Sequence, residues 1–352
     1  MPNIMLTDSC NLSCPYCFAN EFVNKSANEI SIDNFISALD FILKDRRCRD
    51  IGLIGGEPAL HSKFRDLLKL VNDDKRIQNV DIYTNGVLLD RYWDELCNKK
   101  VHLLINCNPP SATGTHNFQK ICDNLAFMIN HLDMKERLML GINMYDVDFE
   151  YEYLLTLLDR YRFNNVRIAI TVPNADGEHI PDARRYFLPY KKQMHAFFRE
   201  LLKRRIEPIY DCNKLPRCLI DKDEWATYMQ FNDFLDTPPY SEFDIRSESV
   251  RCAPVIDIMP DLTAVRCFGL SQYTKVHIGD FENLTDLKNY YAWSIDSFAY
   301  HTDSMSDCRN CYQQKTLNCM GGCLVYKIKQ IMDVRSSIHN VKHSRPESCP
   351  NA

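Results

Sequence analysis

The chain has 352 residues, enough for one large domain and a smaller one, with 45% apolar and 25% charged residues as in an ordinary globular protein. Its net charge of −5 gives no reason to expect nucleic acid or an anionic membrane as partner. No basic, apolar signal segment opens it, and no window holds the roughly 20 consecutive apolar residues of a membrane helix. A cytoplasmic setting is therefore expected, where thiols stay reduced and 16 cysteines call for an explanation other than disulfides.

In chain order, a strand-like run at 3–7 leads into "DSCNLSCPYCFAN" (8–20), which packs Cys10, Cys14 and Cys17 together. Ile32, Phe35, Ile36, Leu39 and Leu43 follow at helical spacing, with Ser31 placed as N-cap. Strand-like runs at 50–56, 79–86, 102–108, 138–144 and 166–172 then alternate with amphipathic helices. The clearest of these helices carries Phe118, Ile121, Cys122, Leu125 and Ile129 on one face. Several runs are apolar nearly throughout, as in a parallel sheet covered by helices.

Six strand–helix units predict an α/β fold: a partial (β/α)6 parallel barrel over 1–205 with right-handed crossovers. Chemistry in such sheets gathers at the carboxyl ends of the strands. The polar and glycine-bearing tails fall there: Cys10 to Cys17, Gly55 to Glu57, Thr84 to Gly86, Asn106, Asn108 and Asn143.

Past residue 205 the alternation stops. Residues 206–250 read as a connecting segment, and 251–352 as a small irregular cysteine-rich domain that binds metal clusters. Within it, 255–268 predicts a hairpin turning at Pro260–Asp261. Metal ligation is expected to supply the stability that so irregular a unit does not draw from an apolar core.

Three thiols from one loop do not close a structural zinc site, which takes four ligands. A cubane iron–sulfur cluster held by three cysteines instead leaves one iron open. "LIGGEP" (53–58) ends the second strand with two glycines that admit a ligand to the backbone and a glutamate that accepts from an ammonium group. With CxxxCxxC after strand one and GGEP after strand two, the sequence resembles the radical S-adenosylmethionine (SAM) enzymes. The resemblance implies that Cys10, Cys14 and Cys17 hold a [4Fe–4S] cluster whose open iron is chelated by the amino and carboxylate groups of SAM. It implies that Glu57 and the Gly55–Gly56 backbone position the amino group and that Tyr16 lies beside the adenine. Asn106 and Asn108 stand about where the family carries Ser and Asp. Asn106 is a candidate for the ribose, and Asn143 for the ribose or carboxylate.

The later cysteines, Cys252, Cys267, Cys308, Cys311, Cys319, Cys323 and Cys349, resemble the SPASM domain, an auxiliary-cluster extension of radical SAM enzymes. That resemblance implies two auxiliary [4Fe–4S] clusters. The outer one falls to Cys308, Cys311, Cys319 and Cys349, and the inner one to Cys252, Cys267 and Cys323. The chain departs from the pattern in three ways. Seven residues separate Cys311 from Cys319 where the family has five, Leu262 replaces a hairpin glycine, and seven cysteines serve eight ligand places. Cys218 or Cys212 would be the eighth ligand, with Cys218 favoured, or one iron stays open. Cys212, with Asp211, would otherwise face the reaction chamber as a catalytic candidate. Structural zinc is the alternative for the paired cysteines. Cys48, Cys97, Cys107 and Cys122 are expected as small buried apolar groups.

The resemblance implies an oxidoreductase that reductively cleaves SAM with an electron from a flavodoxin- or ferredoxin-like donor. The 5′-deoxyadenosyl radical then abstracts a hydrogen from the substrate. A ribosomal peptide maturase forming oxidised or crosslinked products is the leading expectation. The alternatives are sulfatase-maturase-like oxidation and a dehydrogenase or epimerase of a small molecule. A zinc-stabilised binding protein is the non-enzymatic alternative. The sequence opens almost directly on strand one, so the expectation is that a separate leader-peptide-binding protein recruits the peptide, that the barrel itself does, or that the substrate is small.

Overall fold

In the computed structural model the described residues are 1–17, 19, 22–171, 183–210, 213, 215–221, 223–224, 252, 254–297, 302–316 and 319–328. Their parallel strands are β1 (Asn3–Met5), β2 (Asp50–Ile54), β3 (Asn79–Thr84), β4 (Val101–Asn106), β5 (Leu138–Met144), β6 (Asn165–Ile170) and β7 (Glu207–Tyr210). Each pairs with the next, giving the partial barrel that the alternation predicts. β7 lies just past the expected end of the barrel at residue 205. The strand-like run "IEPIY" (206–210) marks it in the sequence, and its burial alternates, with Pro208 and Tyr210 buried and Glu207 and Ile209 half-buried.

Along β4, Val101, Leu103 and Ile105 are buried while His102, Leu104 and Asn106 are half-buried. One face is sealed by helices and the other lines an open interior. Helix Ile32–Leu43 starts where Ser31 accepts the Asn34 N–H at 3.1 Å, and it buries Phe35, Ala38, Leu39 and Ile42. Helix Thr115–His131 turns Ile121, Leu125 and Met128 onto the sheet. Each large side chain so buried contributes about 2 kcal/mol. Cys107 and Cys122 are buried in this core, as expected of small apolar groups. Cys97 is not: it caps the short helix Trp93–Leu96 and is exposed, its thiol 3.1 Å from the Asp94 carbonyl. Cys48 is only half-buried.

The hairpin of the later segment joins the barrel sheet. β8 (Asp257–Ile258) runs parallel to β1, β9 (Thr263–Val265) returns antiparallel, and β10 (Val276–His277) pairs with β9. Asn3 Nδ2 donates to Asp257 at 2.7 Å across the β1–β8 seam. The turn closes without its glycine. Leu262 itself takes φ +67°, and the Met259 N–H reaches the Thr263 carbonyl at 2.7 Å. Among the described residues no helix is long and apolar enough to cross a membrane.

Candidate functional site

The cysteine loop is sewn to the carboxyl ends of β2, β3 and β4. The Gly56 and Glu57 N–H groups donate to the Thr7 and Ser9 carbonyls, each at 2.8 Å. A Cβ at Gly56 would stand 2.4 Å from the Ser9 oxygen, so only glycine lets these two backbones meet. Glu57 is buried and its carboxylate already accepts three bonds, from Ala59 N–H at 3.2 Å, Thr84 Oγ1 at 2.7 Å and Asn85 N–H at 2.8 Å. Burial raises its pKa against the pull of these donors. Asn85 passes the link back to the loop, donating to Asn11 at 2.8 Å. Glu57 therefore fastens β2 to β3, and its Oε2, with one recorded bond, keeps capacity to accept another.

Cys10, Cys14 and Cys17 are half-buried at the mouth of the barrel. The Leu12 N–H lies 3.4 Å from Cys10 Sγ and the Asn108 amide 3.4 Å from Cys14 Sγ, both donor contacts that favour thiolate sulfur. Burial pushes the Cys10 thiol up to about 11, with Glu57, Cys14 and Cys17 adding to the rise. A cationic iron–sulfur core supplies the opposite charge that such thiolates need. Cys17 packs with Met5, Ile54, Met259 and Phe268, so the hairpin supports the base of the loop. Among the described residues no three His, Cys, Asp or Glu side chains are close enough to hold one metal ion.

Polar side chains gather at the ends of β4 to β6. Asn143 donates to Asn106 at 3.4 Å, and Arg167 Nη1 donates to Asn143 Oδ1 at 2.6 Å. Gly141 makes room for this, since a Cβ there would touch the Arg167 stem at 3.2 Å. Asn108 accepts from the Tyr16 hydroxyl, and the Tyr16 ring stacks on Tyr145 with centroids 4.9 Å apart. Beside them lies a small cleft of about 60 Å³ lined by Asn143, Tyr145, Asp146, Phe149, Glu150 and Tyr153. Arg167, Tyr145 and the bridging role of Asn108 are absent from the sequence-based set. A charged residue inside the apolar run "VRIAI" was the signal for Arg167.

The later cysteines form two groups. Gly321, at φ +71°, brings its N–H to 3.2 Å from Cys319 Sγ, and a Cβ there would collide with Ser304, whose hydroxyl is 3.6 Å from Cys308 Sγ. Cys218 feels the charges of Cys319, Cys308 and Cys311 and is pushed up to about 11, mainly by burial. Asn213 binds that segment to Tyr326 at 3.2 Å. Cys218 thus lies within electrostatic reach of the outer group, whereas the eighth place proposed for it belongs to the inner one. In the second group Cys252, hydrogen-bonded with Cys323, is held well below the usual thiol range by that bond and by Arg266. Arg266 also feels Cys267.

Two fully buried cations accompany these groups: Arg266 in the second, and Lys327, which feels Cys308, Cys319 and Asp303, in the first. Buried cations need anions beside them, and thiolates on iron–sulfur clusters are anions of that kind. Asp211, Cys212 and Cys349 lie outside the described residues.

Residues 4–155 match the Radical SAM superfamily. A GTP 3′,8-cyclase of Clostridium perfringens (strain SM101 / Type A) is 37% identical over 99 residues, covering 26% of this chain and 29% of that protein. The chain spans between 16% and 29% of the length of the first curated relatives it matches. Among solved structures, SuiB of Streptococcus suis bound to S-adenosylmethionine superposes with a TM-score of 0.58 at 15% identity, over 99% of this chain and 76% of that one. anSMEcpe with bound AdoMet and Kp18Cys peptide gives 0.59 at 16% identity, over 92% and 88%. At these identities the likeness is one of fold. The stretch that matches the Radical SAM superfamily runs from within β1 past β5 and includes the cysteine loop sewn to the strand ends.

Proposed function

We propose that the protein is a radical SAM enzyme that modifies a peptide by hydrogen abstraction, giving an oxidised or crosslinked product. The observation that carries this reading is the half-buried Cys10/Cys14/Cys17 loop, held at the barrel mouth by the Gly55–Glu57 backbone. When bound, the cluster and SAM supply a 5′-deoxyadenosyl radical. The protein's own residues hold and orient them. Cys10, Cys14 and Cys17 would ligate, Glu57 Oε2 and the Gly55–Gly56 backbone would receive the amino group, and Tyr16 with Tyr145 would flank the adenine. Asn106, Asn143 and Arg167 offer donors to ribose and carboxylate oxygens.

Auxiliary clusters complete the reading. Cys308, Cys311, Cys319 and Cys349 would hold the outer one, and Cys252, Cys267 and Cys323 the inner one, with Cys218 a further candidate ligand near the outer group. The two buried cations support this. Peptide substrates are supported by fold likeness extending over nearly the whole chain, since SuiB is seen with precursor peptide SuiA and anSMEcpe with Kp18Cys peptide. A small-molecule substrate is the second reading, favoured by the likeness of the barrel to GTP 3′,8-cyclase.

Anaerobic incubation with SAM, dithionite and peptides encoded beside the gene tests this. A mass loss in one peptide together with 5′-deoxyadenosine is expected. SAM cleavage with no peptide changed would turn the reading to the small molecule, and no SAM cleavage would overturn it.

A further inference from the structure

Arg266 follows β9 and directly precedes Cys267, and none of it reaches water. Its Nε donates to Asp296 Oδ1 at 2.5 Å and its Nη2 to Asp296 Oδ2 at 3.0 Å, a two-pronged pairing that fixes the guanidinium plane. Nη2 also reaches the Cys252 carbonyl at 2.6 Å, and Nη1 points at Cys252 Sγ from 3.4 Å. The backbone is held as firmly. The Arg266 N–H donates to Thr274 Oγ1 at 3.1 Å, and its carbonyl accepts from Val255 and Ile256 at 3.1 and 3.0 Å. Asp296 ends a π-helical turn, Ala292–Asp296, that continues helix Leu284–Tyr291. The widened turn carries Asp296 inward, 6% exposed, while Trp293 on the same turn is 80% exposed.

We infer that Arg266 sets the reduction potential of a cluster held by Cys252, Cys267 and Cys323, with Asp296 as the residue that positions and partly neutralises it. This rests on the auxiliary-cluster reading above. A hydrogen bond to a ligating sulfur, with positive charge behind it, favours the state that carries one more electron. The Asp296 carboxylate opposes this, so the pair acts as a fixed offset. Lysine, a point charge without a planar fork, does not make the Asp296, carbonyl and sulfur bonds together.

The test uses the full-length protein with Cys10→Ala, Cys14→Ala and Cys17→Ala, so that only auxiliary iron remains. It is titrated one electron at a time with dithionite and followed by electron paramagnetic resonance. Arg266→Gln/Asp296→Asn should lower one midpoint and leave the other in place. At the original midpoint the reduced-to-oxidised ratio should fall about tenfold, or 59 mV for one electron. Asp296→Asn alone should move the same midpoint upward, and a residue that only maintained packing would not give opposite signs. If the double variant loses iron, Arg266→Lys decides, with a fall of about threefold in the same ratio expected. Full iron with unmoved midpoints overturns the inference and leaves the cluster reading standing. No iron in the parent variant overturns both.

Discussion

The barrel and the cysteine-rich unit solve burial in opposite ways. In the barrel, seven parallel strands press apolar side chains against helices, and the buried Glu57 carboxylate is satisfied by three neutral donors of its own fold. In the later unit the described strands have two or three residues each, yet Arg266 and Lys327 are sealed from water. Apolar burial stabilises the barrel whether or not metal is present. The later unit encloses two cations among cysteines and carboxylates, Arg266 paired with Asp296 and Lys327 near Asp303, and on the auxiliary-cluster reading its short strands owe much of their order to what those cysteines bind.

Removing the iron should therefore break the two regions apart. After anaerobic chelation, limited proteolysis read by mass should cut residues 252–328 at least tenfold faster, with cleavage across 22–171 little changed. Losing the clusters would remove the crosslinks that tie these short segments together, and so small a unit has little stability in reserve. Equal sensitivity of both regions before and after chelation would refute the contrast.

Gly56→Ala tests the barrel's side of it. A Cβ 2.4 Å from the Ser9 oxygen pushes the cysteine loop off the end of β2, while the core beneath keeps its packing. SAM cleavage, measured as 5′-deoxyadenosine, should fall about 100-fold, the loss expected when positioned groups shift by about 1 Å. The thermal midpoint should hardly move. Unchanged cleavage would show that this close approach does not position the loop. Asn108→Ala removes the donor to Cys14 and the acceptor for Tyr16, two bonds at about 1 kcal/mol each. Cleavage should fall about tenfold, and an Asn108→Ala enzyme matching the parent would deny Asn108 its bridging role.

The same contrast governs what was legible beforehand. The barrel could be read because β2 to β6 are apolar runs of five to seven residues and Ser31 marks a helix start by local chemistry alone. The cysteine loop and Gly55–Glu57 could be placed at strand ends because strand polarity puts them there. β8 was not readable as a partner of β1, since a two-residue strand has no periodicity and its neighbour lies 254 residues away. The structural ties of Glu57 were not readable, because a carboxylate buried this deeply needs donors from its own fold, and Thr84 and Asn85 supply them from β3 and the residue after it. The place of Cys218 among the cysteine groups was not readable either, because spacing ranks cysteines along the chain, whereas contacts such as that of Asn213 with Tyr326 join residues 113 apart.

The smallest effect concerns the turn between β8 and β9, where Leu262 holds a left-handed backbone and packs a half-buried side chain on the core. Leu262→Gly relieves about 1 kcal/mol of backbone strain and forfeits about as much packing. Leu262→Ala forfeits the packing and keeps the strain. The usual order, in which alanine is the milder replacement, should therefore reverse. Glycine should leave the chemical unfolding midpoint near that of the parent, with alanine about 1 kcal/mol lower. Alanine equal to or above glycine would mean that residue 262 does not hold the left-handed conformation, and that the hairpin meets β1 by some other turn.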